Sequence, residues 1–110
     1  MILKIDSTNN IELKLSLNQV EKKIQYLSPR NQDLLKELEK FLTTHGVTLS
    51  QLTNIKVATG PGNFTSLRVG VAIASALSFA LNIPINGKKP GSTPAIKYGK
   101  PPGITVSKKL

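Results

Sequence analysis

Gly60-Pro61-Gly62-Asn63 is the stretch of this chain most suited to chemistry, because a glycine turn leads straight into an apolar run that starts at Phe64. A helix beginning there would aim backbone N–H groups and the positive end of its dipole at an anion, so a phosphate cradle is one reading. The pattern is unspecific. It lacks the Gly-Lys-Ser/Thr of a Walker loop and the third glycine of a dinucleotide fingerprint, and Pro61 removes a donor. A turn that seats the helix is the favoured reading: Gly60 and Gly62 admit backbone angles closed to other residues, and Asn63 suits the N-cap. Asp6, Ser7 and Thr8 form a second polar turn, with Asp6 read as a turn former. His45 is the single histidine. Standing before Gly46 at the end of an amphipathic run, it reads as a cation at a helix C-terminus rather than as a catalytic base. No convincing Ser-His-Asp set can be assembled around it. The absence of cysteine removes disulfides and thiolate metal sites and fits a reducing cytoplasm. The expectation is a chain with no metal and no cofactor.

The elements that must carry these turns follow from periodicity. Residues 2–5 read as a buried strand, and Ile11, Leu13, Leu15 and Leu17 alternate with polar residues as a strand with one wet face. After Asn18-Gln19, residues 20–26 alternate again, completing an antiparallel meander. Ser28 and Pro29 suit an N-cap and first turn, and Leu34, Leu35, Leu38, Phe41 and Leu42 make the apolar face of the helix that follows. Residues 54–59 form a strand entering the glycine turn. Residues 64–81 form a helix that is apolar on all sides with Arg68 its one charge, and residues 83–85 read as a short edge strand. The order is a three-stranded meander, then helix-strand-helix-strand, an α/β chain of one domain.

Within the second helix, Ser66, Gly70, Ala74 and Ser78 recur at a four-residue step and share one face. A face of small residues admits another backbone at close range. Residues 69–85 carry no charge but fall short of the ~20 residues a membrane span needs, so no membrane is expected. The formal charge is +9, and residues 88–110 hold six lysines and no acid, which leaves +3 for residues 1–87. Residues 88–110 also hold four of the seven prolines and three of the eight glycines. They are expected to be a flexible basic tail beyond a lobe of residues 1–87. Of its lysines, Lys88, Lys89, Lys97 and Lys100 are candidate contacts to RNA phosphates, set evenly against a purely solubilising role.

The run Gly-Pro-Gly-Asn-Phe-Thr-Ser-Leu-Arg-Val-Gly-Val-Ala, residues 60–72, closely resembles the Gly-Pro-Gly-Ser-Phe-Thr-Gly-Leu-Arg-Val-Gly signature of the TsaB (YeaZ) family. Asn63 and Ser66 depart from it, and both are small and polar. The resemblance implies a single lobe of the ribonuclease-H-like, actin-like ATPase fold. It implies a non-catalytic scaffold subunit, acting in the cytoplasm, for tRNA N6-threonylcarbamoyladenosine modification. The partners it implies are a TsaD-like catalytic subunit, a TsaE-like ATPase, tRNA through the complex or the basic tail, and a second copy in a homodimer. The family's partner interface is a helical bundle, here expected on Leu34, Leu38 and Phe41 of the first helix and Ser66, Gly70, Ala74 and Ser78 of the second. Asp6, Ser7 and Thr8 take the place of the first phosphate loop of actin-like ATPases, a vestige in a chain whose single lobe cannot close a nucleotide cleft. The catalytic relative, TsaD, uses a paired-histidine metal motif that one histidine cannot build. Two other readings stay open: a stand-alone nucleotide-binding or hydrolytic protein, and a decayed fragment without activity.

Overall fold

The computed structural model describes residues 1–9, 11–25 and 33–97. Four strands, β1 (Ile2–Asp6), β2 (Glu12–Leu17), β3 (Val20–Gln25) and β4 (Asn54–Val57), form one sheet in the order β3-β2-β1-β4. β1 and β2 pair antiparallel, as do β2 and β3, while β4 joins β1 in parallel. The expected meander is therefore present. Its β2–β3 hairpin turns on Asn18 at φ +54, whose side-chain Oδ1 accepts from the Ile2 N–H at 3.0 Å. A two-residue turn of this hand suits asparagine, which tolerates positive φ.

Register decides which face is buried. Leu3 lies opposite Leu17 and Ile55, and Ile5 opposite Leu15 and Val57. All are buried, and all project to one face, where α1 (Leu34–Thr44) and α2 (Phe64–Leu81) pack on them. The other face carries Lys4, Lys14, Ser16 and Lys56. A single core of leucine, isoleucine and Phe41 thus lies between the sheet and a layer of two helices.

The ends of α1 are set locally. Asp33 caps its start, Oδ1 accepting from the Lys36 N–H at 3.1 Å. The expected cap at Ser28 and Pro29, like Tyr26, lies outside the described residues. At the far end Gly46 takes φ +64 and the Val47 N–H returns to the Leu42 carbonyl at 2.9 Å. His45 donates from Nδ1 to the Phe41 carbonyl at 2.9 Å and stacks edge-on against the Phe41 ring, so its role is that of a helix terminus.

Two expectations need correction here. Residues 83–85 form no full strand. Ile85 alone bridges to Ile55 in parallel, and Asn86 turns away at φ +50. The Asn86 side chain then continues the ladder: Oδ1 accepts from the Val57 N–H at 2.9 Å, and Nδ2 donates to the Val57 carbonyl at 3.1 Å. A carboxamide has the same donor-acceptor pair as a peptide group, which is why it can stand in for the next strand residue. Second, the lobe does not stop at residue 87. The Ser75 hydroxyl donates to the Ser92 carbonyl at 3.0 Å, the Gly91 N–H donates to Ser78 Oγ at 3.0 Å, and the Lys97 N–H donates to the Thr59 carbonyl at 2.7 Å. Pro94 is buried and Ile96 packs against the core. Residues 88–97 belong to the lobe because small serines on α2 give their backbone both a close approach and hydrogen-bond partners. Residues 98–110 lie outside the described ones.

Candidate functional site

The two polar turns meet. The Gly60-Pro61 peptide is cis, and the turn it belongs to lies against the end of β1. The Asn63 N–H donates to the Thr8 carbonyl at 2.7 Å. A Cβ on Gly62 would stand 2.5 Å from that same oxygen and 2.7 Å from Thr8 Cβ, so only glycine fits. Asp6 Oδ1 accepts from both the Thr8 N–H (3.0 Å) and the Thr8 hydroxyl (2.7 Å), the hydrogen bonds of an Asx turn. Asn63 caps α2, its Oδ1 accepting from the Ser66 N–H at 3.0 Å, and its carbonyl accepts from the Leu67 N–H at 3.0 Å. Of the N–H groups that a phosphate at this helix start would use, those of Ser66 and Leu67 are engaged within the chain by Asn63. Asp6, Ser7 and Thr8 form a structural junction with Gly60, Pro61, Gly62 and Asn63.

Ser7 completes that junction. It is buried, and its hydroxyl donates to the Ser66 carbonyl at 2.8 Å. A Cβ on Gly70 would stand 3.0 Å from Ser7 Cβ and nearer still to its Oγ. The small-residue stripe therefore receives the β1–β2 loop at Ser66 and Gly70, the sheet at Ala74, and residues 83 and 91 at Ser78, whose hydroxyl donates to the Ile83 carbonyl at 2.6 Å. This corrects the expected interface. Leu34, Leu38, Phe41, Ser66, Gly70, Ala74 and Ser78 are all buried inside the chain itself, although Leu38 also reaches the floor of the groove between the helices. The stripe marks a close approach, as expected, but the backbone approaching it is the chain's own.

What the two helices leave open is the opposite side. Phe64, Val69, Ala72, Ala76 and Phe79 are exposed along α2, Phe79 to 76%, and Leu35 on α1 to 58%. A groove of about 200 Å³ between the helices is lined by Leu35, Leu38, Leu42, Leu49 and Leu77, with Glu39 at its edge. These exposed apolar groups are gathered on one layer, the outer side of the two helices. α2 also meets the length and hydropathy of a membrane span, at 18 residues and mean hydropathy 1.6, with a third of it buried against the lobe. Of the candidate RNA-contacting lysines, Lys88, Lys89 and Lys97 are exposed on the docked segment, and Lys100 lies outside the described residues. Sequence reasoning missed Asn86. The signal available was an Asn-Gly pair directly after an Ile-Pro-Ile run.

A meander, a parallel fourth strand and two helices on one face define a single ribonuclease-H-like, actin-like ATPase lobe. Residues 30–100 match the family described as TsaD: tRNA N6-adenosine threonylcarbamoyltransferase. The chain is 35% identical over 63 residues to the tRNA threonylcarbamoyladenosine biosynthesis protein TsaB of Escherichia coli (strain K12), covering 56% of this chain and 27% of that protein. It is 32% identical over 89 residues to the TsaB of Bacillus subtilis (strain 168), covering 77% of this chain and 39% of that one. A solved structure from Pseudomonas aeruginosa, an uncharacterized protein with similarity to peptidase YEAZ, superposes with a TM-score of 0.64 at 29% identity, over 76% of this chain and 40% of that one. The chain belongs to this family and, within it, to the TsaB (YeaZ) branch. It spans about a quarter to two fifths of the length of these relatives.

Proposed function

We propose that this chain is a non-catalytic scaffold subunit in tRNA N6-threonylcarbamoyladenosine formation, working in the cytoplasm and pairing with a TsaD-like catalytic subunit. The carrying observation is the apolar outer side of the α1–α2 layer, where Leu35, Val69 and Phe79 stand exposed in a family of tRNA-modification proteins. Burying three side chains of this size contributes several kcal/mol before the entropic costs of association. That makes the outer helix face, rather than the stripe behind it, the docking surface in this reading.

The non-catalytic assignment is supported by the Thr8 and Asn63 N–H groups and the Thr8 hydroxyl, which are engaged within the two turns, and by a lone histidine committed to the Phe41 carbonyl. A TsaE-like ATPase and tRNA enter through the complex. Lys88, Lys89 and Lys97 are proposed phosphate contacts there, with affinity falling steeply as salt rises. A homodimer through the same helices is the competing assembly. Sedimentation velocity of the chain mixed with the TsaD-like subunit of its own organism tests the reading. A heavier complex is expected with the wild type and not with Phe79→Glu, whose side chain lies mostly in solvent and whose fold should survive. Assembly that persists with Phe79→Glu would overturn it.

A further inference from the structure

Arg68 is the one charge on α2, and it stands on the exposed side. Its guanidinium carbon lies 5.4 Å from the Phe64 ring centroid, within the range where a cation is held by an aromatic face. With Phe64, Thr65, Val69 and Ala72 it lines a shallow depression of about 350 Å³. Among the described residues, the ion pair formed is Lys40 with Glu37, at 3.9 Å on α1, and no carboxylate among them pairs with Arg68. Asp6 is spent on Thr8, Asp33 caps α1, and Glu12 and Glu21 stand on β2 and β3.

We infer that Arg68 is the specificity-determining residue of the α1–α2 face, and that the partner presents an apolar surface carrying one aspartate or glutamate aimed at it. This rests on the assignment of that face to a partner. A surface that covers Phe64 and Val69 also strips water from Arg68. A cation desolvated without a counter-charge is strongly unfavourable, whereas a carboxylate meeting the planar guanidinium forms two parallel hydrogen bonds. The Phe64 ring holds the guanidinium ready for that contact and limits the freedom lost on binding. A second copy of the chain fits less well. Its α2 brings no acid, its net charge of +9 repels, and the acids of the helix layer, Asp33, Glu37 and Glu39, all lie on α1 or its cap.

The test is a binding titration of the TsaD-like subunit of the same organism against the wild type and Arg68→Met, Arg68→Lys and Phe79→Glu, each checked for helix content. Arg68→Met should weaken binding by about 30-fold or more, because it leaves the partner's carboxylate buried and unpaired. Arg68→Lys should fall between, keeping the charge and losing the two-pronged contact. An Asp or Glu to Arg change on the partner that restores binding to Arg68→Glu would identify the mate. If Arg68→Met binds within about threefold of the wild type while Phe79→Glu does not bind, Arg68 is a solvated rim charge and this inference fails with the face intact. If neither variant changes binding, the face itself is misassigned and the inference falls with it. If Arg68→Met and Glu39→Gln each abolish self-association and leave the TsaD-like complex unchanged, the mate is a second copy, and the inference is overturned.

Discussion

Ser7 occupies the space that a side chain at Gly70 would need. Its hydroxyl donates to the Ser66 carbonyl one helical turn earlier, and its Cβ would stand 3.0 Å from a Cβ at position 70. The chain just after β1 is thereby keyed into α2, about sixty residues further along the sequence.

Gly70→Ala should destabilise the lobe. Alanine gains up to about 1 kcal/mol of helix propensity, but forcing Ser7 and the β1–β2 loop aside costs roughly 1–3 kcal/mol. A lower urea midpoint is expected, with recovery when Ser7→Gly is added to open the space. An equal or higher midpoint for Gly70→Ala alone would show that the loop yields freely.

Asn86→Ala removes both hydrogen bonds to Val57 and places alanine at φ +50. Loss of stability of roughly 1–3 kcal/mol is expected, since a buried donor and acceptor on β4 are left unmatched. Asn86→Gly keeps the backbone conformation and isolates the side-chain contribution. A thermal midpoint unchanged in both would remove the carboxamide from the account of the sheet edge.

A chain ending at Gly87 should unfold at a lower temperature than one ending at Lys97. The shorter chain loses the partners of Ser75, Ser78 and Thr59 and uncovers the core beneath Pro94 and Ile96. Equal midpoints would return residues 88–97 to the status of a loose tail.

Asp6→Ala should lower stability by about 1 kcal/mol through its Asx turn and leave magnesium-ATP affinity where it began, at background in calorimetry. A micromolar, magnesium-dependent heat in the wild type that vanishes in Asp6→Ala would make the first turn a working phosphate loop.

Alternation in residues 11–25 made the meander legible, and Asp6, Gly46 and Asn63 sit in the turn and cap positions their chemistry suits. The stripe of Ser66, Gly70, Ala74 and Ser78 was legible as a close-packed face. Its neighbour was not, because small residues report that a backbone comes near and carry no label of whose it is. The same lack of contrast hid the true surface. α2 is apolar on every side, so no amphipathic pattern separates Phe79, which is exposed, from Leu67 and Val71, which are buried. Residues 88–97 escaped notice because backbone hydrogen bonds to serines anchor them, and these leave no periodicity.

The central claim, that the outer side of the α1–α2 layer docks a TsaD-like subunit, is tested most directly by hydrogen-deuterium exchange on the chain with and without that subunit. Slower exchange along α1 and α2 on binding, with β2 and β3 unchanged, is the predicted result. Slowing confined to the β2–β3 edge, with both helices exchanging as in the free chain, would contradict it.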